Sequence, residues 1–158
     1  MSVPPLGLSN RQRRVYLDAN ILFSAARSEG AIRKVFRLGI DWGYTYVADA
    51  YVVNEVRRNI SRKVGSDGLQ TLESLLRQVD LADAQRLDPN ADVVSWLPAK
   101  DRPVLLAAIA LRCDLLVTGD RDFKAGYGKR FNGVKVVNAQ QWAEHMLTFR
   151  NPTGSGGA

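Results

Sequence analysis

The sequence has few residues of the kinds that build disulfide bonds, zinc sites or histidine catalysis. Its 158 residues include one cysteine, Cys113, and one histidine, His145. A single cysteine forms no internal disulfide and is typical of a reducing compartment, so we expect a cytoplasmic protein with Cys113 in its core. One histidine excludes a histidine acid/base pair and a Cys/His zinc site, and we expect His145 at the surface.

Long apolar segments are missing as well. No apolar run is long enough to cross a bilayer, so we expect no membrane partner. The first residues, MSVPPLGLSNRQRR, hold no apolar core before their arginines, which argues against an export signal. With 46% hydrophobic and 24% charged residues, the chain fits one globular domain of ordinary size. We predict tails at residues 1–13 and 150–158, the second rich in Gly, Ser and Pro.

Positive charge is in excess. The chain has 22 Lys and Arg against 16 Asp and Glu, which gives a net charge of +6 and a pI near 9.8. This balance suits a polyanionic partner such as nucleic acid.

Strand and helix patterns alternate between the tails. Strands are predicted at Arg14–Asp18, Tyr44–Ala48, Val79–Leu81, Leu115–Thr118 and Val134–Val137. Two short helices are predicted after the first strand, ending at a Gly39 cap, and a third runs from Asp49 to about Lys63. Another helix begins at Ser66, and the apolar segment PVLLAAIALRC forms the next one. The last helix begins with an Asn138/Gln141 capping box. This alternation predicts an α/β fold with a parallel sheet covered on both faces.

Two acids follow strands of this sheet. Asp18 ends the first strand in YLDANIL, and Asp120 follows a buried strand in LLVTGDRDF. Ligands of an open parallel sheet collect at the carboxyl ends of the strands, so neighbouring strands would bring both acids to one crevice. The alternative for Asp18 is a helix cap or an Asx turn, and for Asp120 it is turn chemistry in which the carboxylate bonds its own backbone.

Two more acids are predicted at the same edge. Asp101 opens the apolar helix two residues before Pro103, where plain N-capping is the alternative. Glu55 lies in the helix that follows the second strand, and a surface ion pair with Arg58 or Arg62 is its alternative.

Four carboxylates in one crevice repel each other unless a cation neutralises them. All the ligand atoms would be oxygens, which favours Mg²⁺ or Mn²⁺ over zinc. The chemistry that such a site supports is metal-assisted attack of water on a phosphate ester.

The motifs LDANIL, VNEVRRN, KDRPVLLAAI and LLVTGDRDF, taken in order, resemble the successive acidic motifs of PIN-domain ribonucleases. The resemblance spans residues 14–147 and implies a Rossmann-like three-layer α/β/α sandwich with a central parallel sheet over residues 14–149. It also implies an Mg²⁺- or Mn²⁺-dependent endoribonuclease that forms a homodimer. Many bacterial members are VapC-type toxins held in check by a cognate antitoxin, so the resemblance further implies an RNA substrate and an antitoxin partner.

The resemblance assigns roles by position. The catalytic acids would be Asp18, Glu55, Asp101 and Asp120, and the metal ligands Asp18, Asp101, Asp120 and the more variable Asp122. Asn20 and Thr118 match the small polar neighbours that support them. Asp49 stands where many members have Ser or Thr, and we interpret it as a helix cap.

Basic residues along the chain are candidates to hold the RNA backbone. They are Arg57, Arg58, Arg62, Lys63, Arg121, Lys124, Lys129 and Arg130. Solvated surface charge is the alternative for each of them.

Two other functions fit part of the pattern. A haloacid-dehalogenase-like phosphatase also has an Asp at the end of its first strand, but it needs a second acid two residues later, where this chain has Asn20. A non-catalytic nucleic-acid-binding protein with a PIN-like fold is the other alternative. The tryptophans, Trp42, Trp96 and Trp142, are expected in the core, and an exposed Trp96 would indicate self-association.

Overall fold

The computed structural model describes residues 14–150, without the side chains of the last two. The tails predicted at 1–13 and 150–158 lie outside it, apart from Arg150 at the end of the last helix. None of the helices within this range combines the length and the apolarity that a bilayer span requires.

One sheet forms the centre of the described chain. Its strands are β1 (Arg14–Leu17), β2 (Thr45–Ala48), β3 (Val79–Leu81), β4 (Leu115–Val117), β5 (Arg130–Phe131) and β6 (Val134–Val137). Their spatial order is β3-β2-β1-β4-β6-β5. All neighbours pair in parallel except β5, which pairs antiparallel with β6. The parallel sheet is therefore confirmed, with an antiparallel edge strand that the sequence analysis missed.

Helices cover both faces of the sheet. They are α1 (Ala19–Arg27), α2 (Ala31–Asp41), α3 (Ala50–Lys63), α4 (Ser66–Leu76), α5 (Arg102–Ala110) and α6 (Ala139–Arg150). The chain moves outward from β1 to β3 through α1–α4 and returns to β4 through α5, so right-handed crossovers put these two groups on opposite faces. Helix α6 packs against α2. The three-layer α/β sandwich is confirmed.

Side chains from both faces of the sheet build the core. The strand residues of β1 and β4 are buried except Arg14, as expected for central strands of a covered sheet. The ring of Tyr46 on β2 stacks on Phe36. The fully buried Trp142 contacts the Tyr46 ring edge-on. Cys113 is also buried, as predicted.

Two of the predicted helix caps are confirmed. The Asp49 carboxylate accepts a hydrogen bond from the Val52 N–H at the start of α3. At the start of α6, the Gln141 N–H donates to Asn138 Oδ1 at 2.8 Å, and the Asn138 N–H donates to Gln141 Oε1 at 3.0 Å. These reciprocal bonds are the capping box that the sequence predicts.

The cap predicted at Gly39 is wrong. Helix α2 continues to Asp41, and the chain turns at Gly43, whose φ is +82°. Gly39 is buried instead against β2, where a Cβ atom would overlap the hydroxyl group of Tyr46. A glycine is needed there for the close approach of helix and strand.

Candidate functional site

The central strands β1 and β4 end at the same level. Leu17 is in register with Val117, and the Asp18 N–H donates to the Val117 carbonyl oxygen at 3.0 Å. The next residues, Asp18 and Thr118, therefore emerge side by side at the carboxyl edge. The Thr118 hydroxyl donates to Asp18 Oδ2 at 2.7 Å, which joins the two strand ends.

The Asp18 carboxylate is buried at this edge. Its Oδ1 atom accepts the Ala19 N–H at 2.7 Å, so the capping alternative describes one of its roles. Burial raises the pKa of Asp18, the hydrogen bonds from Thr118 and Ala19 lower it, and the charges of Glu55 and Asp120 raise it further. Asp18 is thus a buried acid under the influence of two other carboxylates.

The turn after β4 is fixed by side chains from both strand ends. The side-chain Oδ1 atom of Asn20 accepts the Gly119 N–H at 2.7 Å, and the Thr118 hydroxyl oxygen accepts the Asp120 N–H at 3.1 Å. The Asp120 Oδ1 atom accepts the Asp122 N–H at 2.9 Å, so turn chemistry occupies one of its oxygens. Asn20 and Thr118 therefore hold the segment that carries Asp120.

Three carboxylates converge beside this turn. Oxygens of Asp101, Asp120 and Asp122 lie within 4.8 Å of one another. Asp101 stands at the N-cap position of α5, but its side chain makes no capping hydrogen bond, so N-capping does not account for it. Burial and the neighbouring Asp122 carboxyl raise the pKa of Asp101 to about 6, although Lys100 opposes this rise. Burial and the neighbouring acids therefore both oppose ionisation of Asp101.

Lys100 lies directly on this cluster. Its Nζ atom is 2.9 Å from Asp122 Oδ2 and 3.2 Å from Asp101 Oδ2. This ion pair lowers the pKa of Asp122. The sequence analysis missed Lys100, although its position next to Asp101 in AKDRPV was a signal.

Glu55 and Asp18 lie outside the three-carboxylate group. Glu55 is half-buried on α3, close enough for its charge to raise the pKa of Asp18. Within the described residues it forms an ion pair with neither Arg58 nor Arg62, so the ion-pair alternative is wrong. The carboxyl edge thus holds a cluster of three acids and a separate, buried Asp18. The charge of Glu55 raises the pKa of Asp18.

Two tyrosines that the sequence analysis did not single out support this edge. The Tyr127 hydroxyl lies 3.1 Å from the carbonyl oxygens of Thr118 and Asp120, which fixes the turn after β4. The Tyr51 hydroxyl donates to the Lys100 carbonyl oxygen at 3.0 Å and ties α3 to the start of α5. No sequence signal separates these tyrosines from ordinary surface tyrosines.

The basic candidates differ in their position relative to the acids. Arg121 and Lys124 are exposed in a 3-10 helix, Arg121–Gly126, that directly follows Asp120. Arg58 and Arg62 lie farther along α3, with Arg62 about 18 Å from its first residue at a rise of about 1.5 Å per residue. Arg57 is engaged by Glu73 through two hydrogen bonds of 2.8 and 2.9 Å. Lys63, Lys129 and Arg130 are exposed.

The acidic cluster fits a hard divalent cation. Its donors are carboxylate oxygens only, which Mg²⁺ and Mn²⁺ prefer. The Asp101 carboxylate is buried and makes no capping hydrogen bond, so its oxygens contact Lys100 and are not committed to the helix backbone. Asp101, Asp120 and Asp122 are the residues that would hold it. His145 lies elsewhere, exposed on α6 beside Tyr44.

An apolar groove opens next to the acids. Its volume is about 770 Å³, and it lies between the start of α3, the segment after β3, and α5. Tyr51, Leu87, Pro103 and Leu106 line it, with Arg86 among its few charged residues. Tyr51 lines this groove and also donates to the Lys100 carbonyl oxygen, so one residue borders both the groove and the segment that carries Asp101.

Comparison with known proteins gives the same picture of the fold. The model of the PIN domain family matches residues 14–122, more than half of the chain. The solved structure of VapBC2 from Rickettsia felis, bound to a DNA fragment from its promoter, contains a similar chain. The TM-score is 0.56 at 17% identity, over 79% of this chain and 98% of the other. No curated protein matches the sequence.

Proposed function

Because the chain belongs to the PIN domain family, we propose that it is a divalent-metal-dependent endoribonuclease that hydrolyses RNA phosphodiester bonds. The observation that carries the proposal is the convergence of the Asp101, Asp120 and Asp122 carboxylates beside Asp18 at the carboxyl edge of the sheet. Acids from separate segments meet there without enough neutralising charge, as a cation site requires.

The residues have separate tasks in this proposal. Asp101, Asp120 and Asp122 hold the cation, while Asn20 and Thr118 keep the turn after β4 in place. When bound, the cation lowers the pKa of a water molecule and stabilises negative charge on the phosphate. Asp18, at the same edge, and Glu55, whose charge acts on Asp18, orient the attacking water. Arg121 and Lys124 bind phosphates of the RNA beside the cut.

Cleavage of a single-stranded RNA by the purified chain tests the proposal. We expect cleavage with Mn²⁺ or Mg²⁺ and none with EDTA, because the acids alone supply no positive charge to the phosphate. Asp120→Asn should abolish cleavage and retain RNA binding. Metal-dependent hydrolysis of small phosphate esters without RNA cleavage would favour the phosphatase alternative, and RNA binding without any hydrolysis would favour the non-catalytic one.

RNA binding should depend steeply on salt if the basic residues contact phosphates. Each phosphate contact to a single strand contributes about 0.7 to the slope of log affinity against log salt. The double variant Arg121→Gln/Lys124→Gln should therefore lose about 1.4 of this slope. Fluorescence anisotropy in Mg²⁺-free buffer at several salt concentrations measures it.

A matched control changes the same charge at the other end of the sheet. Arg37 on α2 and Arg77 after α4 are exposed on segments that lead into β2 and β3, away from the acids. Arg37→Gln/Arg77→Gln should leave the slope unchanged. Equal slopes for the two double variants would remove Arg121 and Lys124 from the RNA contacts.

The toxin role and an antitoxin partner are also part of the proposal. The support is the similar fold of a chain solved in a VapBC2 complex, together with the apolar groove beside the acids, which can take an apolar segment of another protein. A small DNA-binding protein encoded next to this chain should co-purify with it and suppress cleavage. Co-expression with and without that neighbour, followed by the RNA cleavage assay, tests this role.

The homodimer stays a prediction that rests on the resemblance alone. Trp96 does not support it, because its ring is half-buried, stacks on Phe131 at 4.7 Å and meets Phe123 edge-on. Light scattering at micromolar concentration decides between monomer and dimer.

A further inference from the structure

The Lys100 ammonium already occupies a cation position. Its Nζ atom lies 2.9 Å from Asp122 and 3.2 and 3.3 Å from the two oxygens of Asp101. Both acids belong to the group that would hold a divalent ion. The chain therefore brings its own positive charge to oxygens that a metal ion would need.

The backbone of Lys100 is held by a hydrogen bond, whereas most of its side chain is exposed to solvent. The residue lies in the 3-10 turn Ala99–Asp101, and its carbonyl oxygen accepts the hydrogen bond from Tyr51. Its side chain is 69% exposed, which leaves room for the ammonium to swing outward. Only rotations of the flexible four-carbon stem are required.

An ammonium and a divalent cation compete for these oxygens. A metal ion bound to Asp101 and Asp122 would lie within a few ångströms of the Lys100 Nζ, where two positive charges repel strongly. We propose that Lys100 is an internal counter-cation of the acidic cluster, which a divalent ion displaces, and that the displaced ammonium then contacts a phosphate of the RNA. The second half rests on the proposed ribonuclease function, whereas the first concerns cation binding alone.

The displaced ammonium remains at the rim of the site. Its tether to Tyr51 keeps the Lys100 backbone in place, and the side chain leaves the carboxylates only by moving into solvent. Lys100 thus neutralises the acids in the absence of metal and attracts the substrate in its presence.

Titration of the purified full chain with Mn²⁺, without RNA, tests the first half. Lys100→Met removes the competing charge and keeps the length of the side chain, so it should bind Mn²⁺ about fivefold more tightly, the equivalent of about 1 kcal/mol. Lys34→Met, which removes an exposed lysine of α2, should bind Mn²⁺ like the wild type. Isothermal titration calorimetry gives the affinities, and circular dichroism checks that each variant is folded.

The outcomes separate this inference from the proposed function. If the wild type binds Mn²⁺ and Lys100→Met binds it equally or more weakly, Lys100 is a structural ion pair that holds the acids together, and the inference is wrong. If none of the proteins binds Mn²⁺, the metal-dependent function fails and takes the inference with it.

RNA cleavage at saturating Mn²⁺ tests the second half. Lys100→Met should raise the KM for RNA about fivefold with a smaller change in kcat, and Lys100→Arg should restore most of the loss because it keeps a cation at the rim. A KM that Lys100→Met leaves unchanged overturns the phosphate contact, whatever the Mn²⁺ affinity shows.

Discussion

Asp18→Asn should lower the rate of RNA cleavage by at least about 1,000-fold, a loss of about 4 kcal/mol in transition-state stabilisation. The substitution keeps the shape of the side chain and removes its charge at the end of β1, where Asp18 orients the attacking water in the proposed function. The remaining oxygen can still accept the Ala19 N–H that caps α1, so the local structure should persist. Single-turnover cleavage with Mn²⁺ measures the effect.

The same variant should be more stable than the wild type in the absence of metal. Burial raises the pKa of Asp18, so the folded state favours its neutral form and the ionised form costs stability near pH 7. An asparagine removes this cost. A higher thermal midpoint together with lost cleavage would separate a functional acid from a structural one, because a structural acid loses stability when it is replaced.

Asp49→Asn is the matched control. Asp49 follows the neighbouring strand β2 at the same edge, and its carboxylate caps α3 and accepts the Tyr16 hydroxyl at 2.7 Å. Asparagine is an equally good N-cap, so cleavage should stay within about threefold of the wild type. If Asp49→Asn and Asp18→Asn lose activity equally, the cause is the total charge of the edge, and Asp18 has no special role.

The sequence predicts the ends of the central strands well because one rule governs them. Parallel strands carry their carboxyl ends to one edge, and the short apolar runs of β1 and β4 locate those ends to within a residue. Asp18 is the first residue after β1 and Asp120 the third after β4, so their placement at one edge needs only that the strands be neighbours. The hydrogen bond from the Asp18 N–H to the Val117 carbonyl shows that they are.

Positions that depend on packing between distant segments are not predictable in this way. A glycine such as Gly39 is typical of a helix cap. The structure instead requires a glycine there because the residue lies against the Tyr46 hydroxyl of β2. Lys100 reaches Asp122 across a separation of 22 residues that no periodicity encodes. The β5–β6 hairpin did carry a local signal, Asn132-Gly133, whose φ values of +50° and +90° suit a tight turn, and the sequence analysis missed it.

Asp101→Asn should weaken Mn²⁺ binding by at least about 30-fold, because a ligand carboxylate is lost from a group of three acids. The wild-type affinity should rise with pH across the range near pH 6, since the cation competes with a proton for an Asp101 carboxyl whose pKa is about 6. The variant has no such proton to displace and should depend less on pH. Calorimetric titrations with Mn²⁺ at several values between pH 5 and pH 7.5 measure both effects.

In the absence of metal, the free energy of unfolding of the wild type should fall as pH rises, whereas its Mn²⁺ affinity rises. A folded pKa of about 6 lies above the ordinary value of 3.8, so the folded state binds more protons and loses stability as pH rises between these values. The raised pKa of Asp101 corresponds to a loss of at most about 3 kcal/mol in the free energy of unfolding. Because Lys100 and the lowered pKa of Asp122 oppose this loss, we expect a loss of about 1 kcal/mol. In EDTA at pH 7, Asp101→Asn should therefore unfold about 2–4 °C above the wild type.

Divalent cations should reverse the order of the two unfolding temperatures, so that the wild type unfolds above Asp101→Asn. Saturating Mn²⁺ stabilises only proteins that bind it, so the wild type should gain several degrees and Asp101→Asn much less. Asp83→Asn removes an exposed acid and should follow the wild type in both buffers. If the midpoints of wild type and Asp101→Asn coincide in EDTA from pH 4 to pH 7.5, the Asp101 carboxylate is not under strain. The carboxyl edge would then have no electrostatic reason to bind a cation.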